Sequence, residues 1–157
     1  MKVTFSEAAL QEYNKIVQKY PEKRAALLPA LHLAQREFGW ISRDVIRYLS
    51  ELMDIPSTEI LDTTTFYTMF KTAPTGKYHI QVCGTISCAL RGSRQIYEHL
   101  SGKYGIQDGT VSADGRFSLM KVECLGSCGT APVVQINDDY YEDLTIEKLD
   151  KILDGLS

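Results

Sequence analysis

The chain has 157 residues, 44% hydrophobic and 24% charged, a globular composition with room for one domain or a small domain plus a helical extension. Net charge is −3 and no run of Lys or Arg forms a basic face, which argues against nucleic acid as a partner. The opening stretch MKVTFSEAAL lacks the apolar core and cleavage site of a signal peptide, and no apolar stretch approaches the ~20 residues that cross a bilayer.

From the N-terminus, Ala9, Tyr13, Ile16 and Tyr20 recur at helical spacing after Ser6 as an N-cap, with Pro21 as the stop. Leu27, Leu31, Ala34 and Phe38 repeat the pattern, with Gly39 as the residue that ends it and Pro29 in the first turn or at a kink. Ser42 is placed to cap a third helix with Val45, Leu49 and Leu52 on one face, and Pro56-Ser57 opens a short fourth segment leading to TTTFYTMF. The style changes near Pro74. KYHIQVC alternates and reads as a strand with Tyr78, Ile80 and Val82 on one face. A helix is expected from about Cys88 to Lys103, with Ala89, Ile96 and Leu100 inward; RFSLMKVEC and VVQIN read as further strands. Asp138-Asp139 reads as a tight turn into a short strand YYE, and a last helix carries Ile146, Leu149, Leu153 and Leu156.

The expected architecture is therefore α/β: a small N-terminal helical bundle over residues 1–73, then a domain over 74–157 with a four-stranded mixed sheet and two helices. The connection after the first strand is long enough for a parallel crossover. That β-α-β-β-β-α order is the outline of a thioredoxin-like domain.

The chemistry concentrates in four cysteines, spaced Cys83-x4-Cys88 and Cys124-x3-Cys128. All four fall at strand ends or in loops, where side chains can converge without disturbing packed elements. Two thiolates on one tetrahedral metal lie about 3.7 Å apart, so the backbone must turn sharply, and Gly84, Gly126 and Gly129 permit this. Glycines also let backbone N–H groups approach sulfur, where they stabilise a negative cluster. A predicted helix N-terminus near Cys88 favours thiolate there. A [2Fe–2S] cluster with two thiolates from each loop fits this spacing best. Structural zinc stays open as the next reading, although its common knuckles use tighter C-x2-C pairs. A thioredoxin-type dithiol needs C-x-x-C, which is absent; disulfides conflict with a cytoplasmic compartment; a Rieske centre needs His beside its Cys.

Larger stretches then carry a resemblance. LLPALHLAQREFGWIS, TTTFYTMF followed by PTGKYHIQVC, Cys83-x4-Cys88 followed by LRG, and ECLGSCGTAP followed by INDDYYEDLT resemble the thioredoxin-like [2Fe–2S] subunit of NADH:quinone oxidoreductase (respiratory complex I) through most of the chain. The resemblance implies an electron-transfer subunit with one [2Fe–2S] cluster, Cys83 and Cys88 on one iron and Cys124 and Cys128 on the other. It implies a heterodimeric partner within a larger complex, the flavoprotein subunit that binds FMN and NADH. It also implies a cytoplasmic location, peripheral to the inner membrane through that complex. Related subunits in NAD-linked hydrogenases and formate dehydrogenases leave the parent complex open. A zinc-stabilised interaction module and a free-standing ferredoxin are the readings from other classes.

The chain has no G-x-G-x-x-G and no Walker-type loop, so no motif signals NAD or flavin on this chain, and no turnover of NADH is expected from it alone. Arg91 is the one cation near the first cysteine loop, and the cluster is expected to have a low potential. His32, His79 and His99 read as structural or surface residues. The aromatic and methionine cluster in TTTFYTMF reads equally as ordinary core or as a partner-facing patch, and the resemblance favours the second, with Phe66, Tyr67 and Phe70 near the flavoprotein; the acidic run Asp138, Asp139, Glu142 and Asp143 reads as a solvated hairpin and Ala131-Pro132 as a candidate cis bond.

Overall fold

The structure is a computed structural model and describes residues 3–156. The chain forms two compact units, one ending at Pro74 and the other starting at Thr75.

The first unit is helical: α1 (Glu7–Val17), a 3₁₀ turn (Lys23–Ala26), α2 (Leu27–Phe38), α3 (Arg43–Met53) and α4 (Ser57–Phe66). The caps are those the sequence marks. Ser6 Oγ accepts from Ala9 N at 3.3 Å and Ser42 Oγ from Val45 N at 3.2 Å, each satisfying an N–H that the first turn leaves without a partner. Pro29 sits in the first turn of α2, where its missing N–H costs nothing. Gly39 closes that helix at φ +82°. Leu31, Leu49 and Ile60 are fully enclosed in the core, with Ala9, Tyr13, Ala34 and Val45 around them.

Two expectations change here. α1 stops at Val17, well before Pro21, and Tyr20 lies outside it and exposed. Lys19 N and Tyr20 N bond back to Ile16 O and Val17 O, so the chain tightens into i→i+3 bonds before the proline, which also disfavours helix at the residue ahead of it. The start of TTTFYTMF is the last turn of α4, with the Thr63, Thr64 and Thr65 hydroxyls donating to the carbonyls of Glu59, Ile60 and Leu61.

The second unit is a mixed α/β layer: β1 (Tyr78–Cys83), α5 (Ile86–Leu90), α6 (Ser93–Tyr104), β2 (Thr110–Val111), β3 (Phe117–Val122), β4 (Val134–Ile136), β5 (Asp139–Tyr141) and α7 (Ile146–Gly155). The sheet order is β2-β3-β1-β4-β5. β1 and β3 pair in parallel, with Tyr78 opposite Phe117 and Cys83 opposite Val122; the other pairings are antiparallel. The parallel crossover is as expected. β1 is central and buried on both faces from His79 to Cys83, so its alternation marks one packed face against another rather than core against water. His79 meets its burial by bonding Nδ1 to Ser118 Oγ at 2.9 Å.

The sheet has five strands, not four. The addition, β2, is two exposed residues long and offers no alternation to read. The helix expected over 88–103 is two helices, broken at Arg91-Gly92, where Gly92 takes φ +99°. The unit therefore has three helices rather than two, and Ala89 is exposed, while Ile96 and Leu100 point inward as expected. The hairpin turn is Asn137-Asp138, one residue earlier than read, because Ile136 pairs with Asp139 and Asn137 adopts φ +54°.

Candidate metal centre

Parallel pairing of β1 and β3 makes both strands leave the sheet at the same end. Cys83 is the last residue of β1 and Cys124 follows the end of β3, so the two cysteine loops emerge side by side. Gly84 N extends the pairing past Cys83 by donating to Val122 O at 2.9 Å. β4 runs back into the same edge, and Cys83 N donates to Val133 O at 3.3 Å.

Cys83 and Cys88 are each 3% exposed and pack with Ala131 and Val133, with Leu125 against them. Cys83 Sγ lies 3.5 Å from Thr85 Oγ1 and donates to Glu123 O at 3.8 Å. Burial pushes the Cys83 thiol up. Hydrogen bonds from the Thr85 hydroxyl, the Thr85 and Leu125 N–H groups and the Cys88 thiol outweigh it and leave Cys83 below the ordinary thiol value. Cys88 goes the other way: burial, its hydrogen bond to Cys83 and the charges of Cys83 and Cys128 raise it, against a Val133 N–H that lowers it. Of the two thiols, Cys83 is therefore the easier to ionise. Cys88 lies in the first turn of α5, but that helix is a single turn, so hydrogen bonds rather than a helix dipole dominate the site.

Cys124 and Cys128 are exposed. Gly126 N donates to Cys124 Sγ at 3.3 Å from a loop that needs φ +78° at Gly126. Cys128 opens a 3₁₀ turn, Cys128–Thr130. The Ala131–Pro132 bond that follows is cis. Among the described residues no three His, Cys, Asp or Glu side chains are gathered as closely as a single ion requires. Cys83 and Cys88 are buried against each other, Cys124 and Cys128 are exposed, and Cys128 is close enough to Cys88 for its charge to act there.

The histidines are engaged elsewhere: His79 with Ser118, His99 Nε2 with Asp150 Oδ1 at 2.8 Å, and His32 against the Phe70 ring at 5.0 Å between centroids. All four residues of the acidic run are exposed, and the last two also contact neighbouring segments. Glu142 Oε1 accepts from Thr130 Oγ1 at 2.7 Å and from Ser127 Oγ, and Asp143 faces Lys148 Nζ at 3.2 Å and Arg91 at 3.7 Å. The hydroxyls on either side of Cys128 were the signal for these contacts, and it is legible only once β5 is known to return beside that loop. In the first unit Phe66 is 77% exposed with Tyr67 and Met69 beside it, whereas Phe70 is buried and leaves the patch.

Residues 13–157 match the family model of the thioredoxin-like [2Fe–2S] ferredoxins. An NADH-quinone oxidoreductase subunit of Rickettsia bellii is 49% identical over 98% of this chain and 93% of its own length. The chain belongs to the thioredoxin-like [2Fe–2S] ferredoxin family. A second relative of this ferredoxin, an NADH-quinone oxidoreductase subunit of Thermus thermophilus, is 45% identical over 88% of this chain and 78% of its own. Among solved structures, an NAD+-reducing [NiFe]-hydrogenase in the air-oxidized state superposes on 82% of the ferredoxin at TM-score 0.70 and 27% identity, and the ferredoxin spans only 22% of that hydrogenase chain.

The cofactor of the family is one [2Fe–2S] cluster, and the residues present suit it. Each loop offers two thiols, and N–H groups already face sulfur at Cys83 and Cys124. A single tetrahedral ion asks instead for all four sulfurs within about 3.7 Å of one another.

Proposed function

We propose that this ferredoxin is the electron-transfer subunit of an NADH-quinone oxidoreductase, holding its cluster on Cys83, Cys88, Cys124 and Cys128. Cys83 and Cys88 take one iron and Cys124 and Cys128 the other. The observation that carries the proposal is the exit of both cysteine loops from one end of the sheet, in a chain nearly half identical over almost its whole length to a protein named as a component of that oxidoreductase. When bound, such a cluster takes up and releases one electron at a time.

The protein's part is to make that charge tolerable. Thr85, Leu125 and Gly126 direct donors at sulfur. Burial of Cys83 and Cys88 keeps water from the inner pair, and the exposed outer pair leaves a side open to a redox partner. That partner is the flavoprotein subunit, with FMN and NADH bound there, since hydride chemistry needs a two-electron group and this chain has no motif for one. Exposed Phe66, Tyr67 and Met69 in residues 1–73, and Ile86 and Leu90 (79% and 83% exposed) on the Cys88 helix, support such an association. In this reading residues 1–73 serve partner binding and residues 74–157 hold the cluster. No helix among the described residues is long and apolar enough to cross a membrane; contact with a membrane runs through the complex, from the cytoplasmic side.

The hydrogenase likeness supports a second reading, the equivalent subunit of an NAD-linked hydrogenase, but at lower identity than the NADH-quinone oxidoreductase relatives. Anaerobic purification with iron and acid-labile sulfide analysis tests the cluster: about two of each per chain are expected. Colourless protein holding zinc and no sulfide overturns the proposal. In an EPR-monitored redox titration the midpoint is expected near the roughly −400 mV of plant-type centres; a positive midpoint contradicts the low-potential reading. Co-purification with flavoprotein rather than hydrogenase subunits separates the two parent complexes.

A further inference from the structure

One side chain that is not a cysteine, Arg91, joins the two cysteine loops, and another, Glu142, braces the second. On the first loop, Arg91 N bonds to Cys88 O at 3.2 Å, which fixes Arg91 to the turn that carries Cys88. Its side chain crosses to the second loop, where Nε donates to Ala131 O at 3.2 Å and a terminal nitrogen lies 3.7 Å from Asp143 Oδ1. On the far side, Glu142 Oε1 accepts from both hydroxyls that flank Cys128, those of Ser127 and Thr130, and Asp143 N donates to Thr130 O at 2.6 Å. A continuous set of contacts therefore runs from Cys88 through Arg91 to Ala131 and Asp143, and from Glu142 to the residues either side of Cys128.

We propose that Arg91 and Glu142 are positioning residues for one cluster: Arg91 ties the second cysteine loop to the first, and Glu142 holds the shape of the second loop around Cys128. The inference rests on the cluster assignment above. Global stability is not what these contacts supply. The Arg91 and Asp143 side chains are about two-thirds exposed, and exposed ion pairs contribute little to global stability. Their effect is on order in a surface loop, where fixing each residue's backbone carries an entropy cost. A loop braced beforehand leaves less of that cost to the cluster's own bonds. Arg suits the task because its planar guanidinium holds its donors in a fixed fork, here one toward a carbonyl and another toward a carboxylate, whereas a lysine offers a single rotatable ammonium.

The test uses the full-length holoprotein as wild type, Arg91→Gln, Arg91→Lys, Glu142→Gln and Arg94→Gln. Arg94 is an exposed arginine whose ion pair among the described residues is with Glu98 on its own helix, and it serves as the control. Iron transfer to excess bathophenanthroline disulfonate is timed under argon, the reduced cluster is recorded by EPR, and unfolding is followed by far-UV CD. Arg91→Gln and Glu142→Gln should release iron about tenfold faster, the equivalent of one lost charge-assisted hydrogen bond, with altered EPR line shape and near-wild-type unfolding. Arg91→Lys should fall between, and Arg94→Gln should match wild type. The proposal is overturned if both Gln variants release iron at the wild-type rate with unchanged EPR, if Arg94→Gln is as fast as they are, or if lost global stability accounts for the release. Wild-type protein free of iron would instead remove the cluster assignment, before any variant is compared.

Discussion

The helical unit ending at Pro74 contains no cysteine, while the unit from Thr75 holds all four. In the first, every helix turns an apolar stripe onto a core of Leu31, Leu49 and Ile60, and the residues that matter lie inside regular structure. In the second, Ile80, Leu100 and Leu119 form an equally closed core, but the chemistry sits where regular structure ends: on the last residue of β1, in a one-turn helix, after β3, and in a 3₁₀ turn. Packing rewards periodicity, because a helix or strand must repeat itself to bury a face. A metal centre rewards its interruption, because sulfurs from distant segments must converge within a few ångströms.

Experiments can break that contrast. The largest effect belongs to the inner thiols. Cys83→Ala should abolish the visible absorption and bound iron of the purified protein while leaving its far-UV CD helical; full iron retention would show that Cys83 is no ligand. Core truncation comes next, at about 2–5 kcal/mol for a buried Leu→Ala. Leu119→Ala should bleach the cluster at lower urea, whereas Leu31→Ala should lower the helical transition and leave the bleaching midpoint in place. Equal shifts in bleaching for both variants would mean the two cores do not act separately.

A smaller effect tests the helix break. Gly92 sits at φ +99° and an added Cβ would stand 2.6 Å from the Gln95 side chain. Gly92→Ala should cost about 1–2 kcal/mol by urea denaturation, and a neutral result would mean the chain runs on as one helix. Helix caps follow: Ser42→Ala in the first unit and Thr145→Ala in the second should each cost about 1 kcal/mol, measured as a shift in unfolding midpoint, with no change in the visible or EPR spectrum of the cluster.

The smallest effect is acid-dependent. Burial pushes the Asp150 carboxyl up, but hydrogen bonds from His99 and Lys103 outweigh it and hold Asp150 below the ordinary carboxylate value. A carboxyl lowered on folding stabilises the fold above its unfolded value, near 3.8, and loses that contribution as pH falls through its lower folded value. Asp150→Asn should therefore flatten the acid limb of the stability curve by at most about 1 kcal/mol. An unchanged acid limb would mean that the bridge to α6 does not persist in solution.

Much of this was legible in the residues. Ser6, Ser42 and Gly39 marked helix ends correctly because caps are local: a side chain or a glycine serves an N–H or carbonyl a few residues away. The cysteine spacing likewise singled out the two loops. What escaped was whatever depended on a distant neighbour. β2 is too short to pattern and is a strand only through β3. Phe70 looked like part of the exposed aromatic run, yet it packs on His32 of another helix. Glu142 and Asp143 resembled ordinary turn acids until β5 brought them beside Cys128.

Sequence alone determined which side chains can offer sulfur to a metal, where most helices begin, and that the chain carries no glycine-rich motif for a dinucleotide, since these follow from residue type and spacing along the backbone. Tertiary structure decided that the loops after β1 and β3 share one end of the sheet, that Cys83 and Cys88 are buried while Cys124 and Cys128 are not, and that Arg91 bridges the two loops. Strand pairing and burial depend on which segments meet across the fold, and a one-dimensional pattern carries no record of which those are.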